Sequence, residues 1–222
     1  MIQLSLDNVP KLISPISEAD CHIVLDNFSP YYVQEGLKAQ EVFEPLRRIT
    51  FALLSVNAPF DATCKAYTAL KDVDLLDFWT VLNTIRQARG NDGVVSYAYT
   101  KAKWLHTLAF NAKVEGISYN PGKEGDAEYR EYLRTNVKGL AWAKSSFAVM
   151  LVKGTADVAC IDTHMHRLFT GNVAKTGIGK RKYLELENKV RSLALTHGIP
   201  TSVAQHCLWD SMRGIRSKLV PV

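Results

Sequence analysis

Apolar residues return every three or four positions along most of the chain, and this helical period restricts the possible folds more than any other feature. Ile49, Phe51, Leu53 and Leu54 open one such stripe. Leu75, Leu76, Phe78, Val81, Leu82 and Ile85 form another, with Asp72 or Asp74 placed to cap it. Trp104, Leu105, Leu108 and Phe110 mark a third, the run from Phe147 to Val152 a fourth, Tyr183 to Leu195 a fifth, and Val203, Cys207, Leu208 and Met212 the last. Turn residues separate them at Gly90-Asn91-Asp92-Gly93, Asn120-Pro121-Gly122-Lys123 and Gly198-Ile199-Pro200. Alternating, strand-like patterning is confined to a short stretch around Val94 to Tyr99. The first 40 residues are less periodic and are interrupted by Pro10, Pro15 and Pro30. The expectation is an all-α chain of 222 residues forming one unit with two helical lobes flanking a cleft. The lobes are approximately 50–160, and 1–49 together with 161–222.

Composition narrows the function classes. With 47 % hydrophobic and 22 % charged residues the balance is that of a globular protein. A net charge of +5 suits a polyanionic partner without identifying one. No apolar run is long enough to span a membrane, and residues 1–7 lack the basic and apolar blocks of a secretion signal. The four cysteines, Cys21, Cys64, Cys160 and Cys207, are scattered, with no C-x-x-C pair that would hold zinc or an iron–sulfur cluster. Neither a metal nor an organic cofactor is expected. Isolated thiols fit an intracellular location, in cytoplasm, nucleoid or nucleus.

The chemistry gathers in residues 136–170. Their pattern predicts a helix, a tight turn near Gly139, a second helix beginning around Lys144, and Asp162 at the head of a third. A helix N-terminus presents free amides and partial positive charge, which suits a phosphate oxygen. A hairpin of this kind holds a nucleic-acid backbone without reading its sequence. The Ile161-Asp162-Thr163-His164 run, followed by Arg167, is the most specific signal in the chain.

This segment resembles the helix-hairpin-helix DNA glycosylases, the superfamily of endonuclease III and the 8-oxoguanine DNA glycosylases, on the branch without an iron–sulfur cluster. The resemblance implies a glycine-turned hairpin followed by a catalytic lysine and then a catalytic aspartate. Lys144 and Asp162, 18 residues apart, reproduce that spacing. Gly139, Ala141 and His164 fall at positions that contact the DNA backbone. Phe51 to Ala58 is similar to the family's early helix, and Asn57 falls where a polar wedge enters the base stack. Ala204 to Trp209 is similar to the late helix of the 8-oxoguanine enzymes, with Gln205 placed to read a flipped base and Trp209, one turn on, to stack against it. The match runs in order from about residue 45 to 215.

One departure leaves two registers open. The family hairpin runs Gly-x-Gly-x-Lys, whereas this chain reads Gly139-Leu140-Ala141-Trp142-Ala143-Lys144. If Gly139 sets the register, Ala143 takes the nucleophile's place; if the spacing to Asp162 sets it, Lys144 does.

The implied activity is base-excision repair on double-stranded DNA by a monomer that removes an oxidised purine such as 8-oxoguanine and nicks the strand by β-elimination. Two alternatives stay beside it: a monofunctional glycosylase for another damaged or modified base, and a non-enzymatic hairpin that only clamps DNA. Each residue also has a plainer reading. Asp162 serves as an ordinary helix cap, Lys144 as a solvated lysine, and Gln205 and Trp209 as core. Lys101 and Lys103, beside Trp104, read as a solvated face in preference to a DNA-facing edge, and Gly177-Ile178-Gly179-Lys180 is only a weak phosphate-turn signal.

Overall fold

The computed structural model describes residues 44–91, 93–172 and 177–213. Expectations for residues 1–43, including the proline-interrupted start and Cys21, lie outside the described residues.

Each of the six apolar stripes falls on one of the nine described helices. In chain order these are α1 (Glu44–Leu54), α2 (Phe60–Ala69), α3 (Phe78–Gln87), α4 (Ala98–Lys113), α5 (Asp126–Asn136), α6 (Trp142–Lys153), α7 (Thr163–Thr170), α8 (Lys180–His197) and α9 (Thr201–Arg213). Between α3 and α4 a two-residue antiparallel hairpin pairs β1 (Arg89–Gly90) with β2 (Gly93–Val94). The strand-like stretch expected at Val94 to Tyr99 therefore ends almost at once. Tyr97 adopts a left-handed backbone, φ 58°, and the chain turns directly into α4 at Ala98.

A second expectation also shifts. Asp77, not Asp72 or Asp74, caps α3, accepting from the Thr80 amide at 3.1 Å and the Thr80 hydroxyl at 2.6 Å. Leu75 and Leu76 belong to the turn before that helix, where Asp74 accepts from the Leu76 amide. An aspartate stabilises whichever turn presents a free amide two or three residues on, so three nearby aspartates make equivalent local signals.

Two hydrophobic clusters hold the helices. The first draws Ile49, Phe51, Leu53 and Leu54 of α1 together with residues of α2 to α6, among them Leu82, Leu105, Leu133 and Val149. The second joins Ile161, Met165, Leu168, Tyr183, Leu186, Val190 and Leu208, from the segment before α7 through α9. Helix α6 is buried nearly all round from Ser145 to Leu151, as expected of a helix whose apolar residues form no single stripe. Ala143 and Ile199 pack against both clusters. The hairpin helix thus stands where the two cores meet.

Candidate active site

The α5–α6 hairpin is closed by Gly139. Its φ is +98°, and a Cβ there would lie 2.5 Å from Trp104 Cδ2 and 3.0 Å from Leu53 Cδ2. Only glycine satisfies both the left-handed backbone and the close approach. After Leu140 the chain extends through exposed Ala141 and enters α6 at Trp142, two residues earlier than Lys144, where the sequence pattern placed the start. The early start has a partner. The Trp142 ring lies 5.6 Å from Tyr183, with the guanidinium carbons of Arg130 and Arg134 and the Lys180 ammonium 5.0, 5.3 and 5.4 Å from its centroid. No side chain caps α6, and the Ser145 amide is the one that reaches back to the Ala141 carbonyl oxygen, at 2.8 Å. The amides of Trp142, Ala143 and Lys144 precede the first amide that donates within the helix, that of Ser145, and so face an anion.

Lys144 occupies the first turn of α6, partly buried, with its ammonium 5.2 Å from the Phe147 ring centroid. Ala143 beside it turns its methyl toward the junction of the two cores. Asp162 N-caps α7. Its Oδ1 accepts from the amides of His164 and Met165 at 2.9 Å each, and its Oδ2 accepts from the Trp209 indole Nε1 at 2.9 Å. The plain cap and the candidate catalytic carboxylate are thus one group.

Cys160 links these two residues. Burial pushes its thiol up to about 12; Lys144 opposes that shift, while Asp162 and Glu187 add to it. The charges of Lys144 and Asp162 therefore bear on the same buried sulfur.

The other expected residues are dispersed around this pair. His164 is exposed, and Trp209 stands edge-on to its ring at 6.2 Å and 87°. Gln205, one turn before Trp209, is 4 % exposed. Asn57 lies just beyond the end of α1, exposed, with a left-handed φ of 47°. Three cysteines are described, none of them in a disulfide, Cys64 and Cys160 buried and Cys207 partly so. Among the described residues no group of three His, Cys, Asp or Glu side chains is arranged to hold a metal ion, and no helix is long and apolar enough to cross a membrane.

The chain and its fold both match a known family. The model of the helix-hairpin-helix 8-oxoguanine DNA glycosylases matches residues 27–199. The chain belongs to the 8-oxoguanine DNA glycosylase family. Among curated relatives, an 8-oxoguanine DNA glycosylase/AP lyase of Metallosphaera sedula is 28 % identical over 174 residues, spanning 78 % of this chain and 83 % of that one. A protein of the same name from Saccharolobus islandicus is 25 % identical over 184 residues, spanning 78 % and 84 %. The fold is likewise that of solved family structures. The Methanocaldococcus jannaschii 8-oxoguanine glycosylase/lyase, in complex with a 15mer DNA containing 8-oxoguanine, superposes with a TM-score of 0.70 at 19 % identity, covering 96 % of this chain and 98 % of that one. The 8-oxoguanine DNA glycosylase of Thermotoga maritima superposes with the same TM-score and identity, covering 96 % and 99 %.

In this 8-oxoguanine DNA glycosylase family member, two buried charged features escaped the sequence reading. Lys101 was expected on a solvated face, yet it is wholly buried, donating to the Leu54 carbonyl oxygen at 2.7 Å, while Lys103 is exposed. The ammonium sits at the C-terminal end of α1, where the helix dipole favours positive charge. Burial, and secondarily Lys144, lowers Lys101 to about 8.

The second feature holds the segment that leads to Asp162. Arg130 of α5 is 4 % exposed and Glu187 of α8 1 % exposed; they form an ion pair, and Arg130 also donates to Ser146 Oγ at 3.3 Å. Glu187 accepts from the Ala159 amide at 2.9 Å. The Tyr183 hydroxyl donates to the Ala159 carbonyl oxygen, lies 2.8 Å from Ser146 Oγ, and accepts from the Ile161 amide at 3.3 Å. Burial holds that phenol well above its ordinary value. These bonds pin residues 159–161 to the hairpin helix at Ser146, two positions past Lys144, and so set where Asp162 stands relative to Lys144. A signal was present in the chain: Arg130 follows Tyr129 and precedes Leu133, and Glu187 follows Leu186 and precedes Val190, so each charge sits on an apolar stripe.

Proposed function

We propose that the protein is a bifunctional DNA glycosylase and AP lyase that removes 8-oxoguanine from double-stranded DNA. The observation that carries this reading is geometric: Lys144 stands in the first turn of the hairpin helix and Asp162 heads α7, whose preceding residues 159–161 are bonded to that same hairpin helix at Ser146 through Tyr183. The names of the curated relatives and the lesion-bearing DNA in the jannaschii complex support the substrate class.

The chemistry follows from the residues. Free amides at the start of α6, beside Gly139 and Ala141, receive a phosphate oxygen, and Lys180 and Arg134 add positive charge around Trp142. The lesion leaves the stack, at a cost of a few kcal/mol. Asn57 fills the gap, Gln205 reads the extruded base, Trp209 stacks on it, and His164 contacts the backbone. Breaking the N-glycosidic bond sends its electron pair to the base, which takes up a proton, and leaves positive charge on the sugar that Asp162 stabilises. Lys144 attacks C1′ as the free amine, Asp162 taking up its proton, and ring opening gives a Schiff base. Loss of a C2′ proton then expels the 3′ phosphate, and water releases the lysine. Lys144 rather than Ala143 holds the nucleophile's place, because Ala143 directs a methyl into the packed junction of the two cores. The enzyme works as a monomer inside the cell, with the DNA lying between its lobes.

Borohydride trapping on a duplex carrying 8-oxoguanine tests this, with base release and strand scission scored separately. The wild type is expected to be trapped covalently and Lys144→Gln not to be trapped. A trap that survives that substitution removes Lys144 from the mechanism.

A further inference from the structure

An ionised carboxylate offers about four acceptor directions, and three of those on Asp162 are taken by N–H donors from two separate helices. Oδ1 is tied to the start of α7 by the His164 and Met165 amides at 2.9 Å. Those bonds anchor one oxygen only. The other, Oδ2, is held by Trp209 Nε1 at 2.9 Å, from α9 and 47 positions further along the chain. The indole is itself braced: the His164 ring meets it edge-on at 6.2 Å, and the His206 ring lies 6.0 Å away, tilted by 30°.

We infer that Trp209 is a positioning residue for base release, its indole N–H holding Oδ2 so that the remaining acceptor direction of Asp162 faces the sugar of the extruded nucleotide. The inference rests on the proposed base-excision function and deepens it, since it gives the ring and the N–H of one side chain separate tasks. A carboxylate stabilises developing charge most when it needs no reorientation as the bond breaks. Without the indole donor, Oδ2 is no longer held in place, and a displacement of about 1 Å can reduce a rate by up to about 100-fold. Trp209 exchanges no proton and forms no bond with substrate in this role.

Trp209→Phe separates the tasks, because it keeps an aromatic face and removes the N–H. The expected result is a single-turnover rate of base release from an 8-oxoguanine duplex lowered about tenfold or more, with the dissociation constant for that duplex changed less than about threefold. In an Asp162→Asn background the further effect of Trp209→Phe on the rate should largely vanish, because both act through one group. An unchanged rate, or a loss of affinity that matches or exceeds the loss of rate, overturns the inference and leaves stacking alone.

The contact has a second measure that needs no activity and no variant of the tryptophan. The indole N–H resonance of Trp209 should move on Asp162→Asn; a resonance that stays in place also overturns the inference. Should the wild type release no base from any damaged duplex, the base-excision reading and the positioning role fall together, even if the resonance moves.

Discussion

Lys101 donates its ammonium to the Leu54 carbonyl oxygen at 2.7 Å with its side chain wholly removed from solvent. Burial first and the neighbouring Lys144 second bring it down to about 8, against about 10.4 for an exposed lysine. Between those values the unfolded chain keeps a proton that the folded chain has released, so this residue favours folding as pH rises through that window. Below about 8 both states are protonated and the full cost of burying the charge is present. Lys101→Met removes that cost, most at neutral pH and not at all above about 10.5. The stability of Lys101→Met minus that of the wild type should therefore stay level up to about pH 8 and decline from there to about pH 10. Thermal midpoints of both proteins across that range check it, and the difference cancels the opposing contribution of Cys64 and Cys160, whose thiols are raised to about 12. A flat difference would mean the ammonium is solvated.

Gly139→Ala places a methyl against Trp104 and Leu53 at a left-handed φ of 98°. The strained backbone and the steric overlap should together cost about 2–4 kcal/mol. Urea unfolding gives the number, and Trp104→Leu in the same chain should recover part of it by opening the space. Affinity for undamaged duplex should fall as well, because the turn sets the direction of the free amides. A change below about 0.5 kcal/mol would be incompatible with this turn.

The Arg130–Glu187 pair joins two helices and is excluded from water. Glu187→Ala leaves a buried guanidinium without its counter-charge and should cost about 3–5 kcal/mol, whereas the double variant Arg130→Met/Glu187→Leu should recover much of that loss. Even where the double variant folds well, residues 159–161 have lost the Glu187 anchor on the Ala159 amide. Base release should then decline more than DNA affinity. Equal declines would show that the network supports the fold without setting the place of Asp162.

Asp162→Asn separates the cap from the charge. Asparagine is as good an N-cap as aspartate, so thermal stability should fall by no more than about 1–2 kcal/mol, the part that comes from the lost acceptor of the Trp209 indole. Base release should fall by at least about 100-fold, since the proposed role of Asp162 at the sugar requires its charge. Asp162→Ala should lose both. An Asp162→Asn protein that still releases base at a wild-type rate leaves the carboxylate as a cap and nothing more.

The local structure around the candidate site was readable from local signals. The glycine at the turn, the aspartate heading α7, and the one-turn spacing of Gln205 and Trp209 are properties of adjacent residues, and caps and turns depend on amides one helical turn away. The helical period likewise placed α1, α4, α8 and α9, because each must turn one face inward whatever it meets there. Where several local signals competed, the reading slipped. Three aspartates precede α3 and Asp77 caps it; α6 begins at Trp142 because Tyr183, 41 positions away, receives the ring.

What the chain determined alone, then, was its helical class, the hairpin, the capped carboxylate and the family they resemble, since each rests on bonds formed within a few residues. Packing decided the partners. That Lys101 is buried at the end of α1, that Arg130 meets Glu187 57 positions on, and that Trp209 reaches Asp162 all depend on which helices lie side by side. A polar group sheltered from water must find its complement nearby in space, and the order of residues says only that it has one to find.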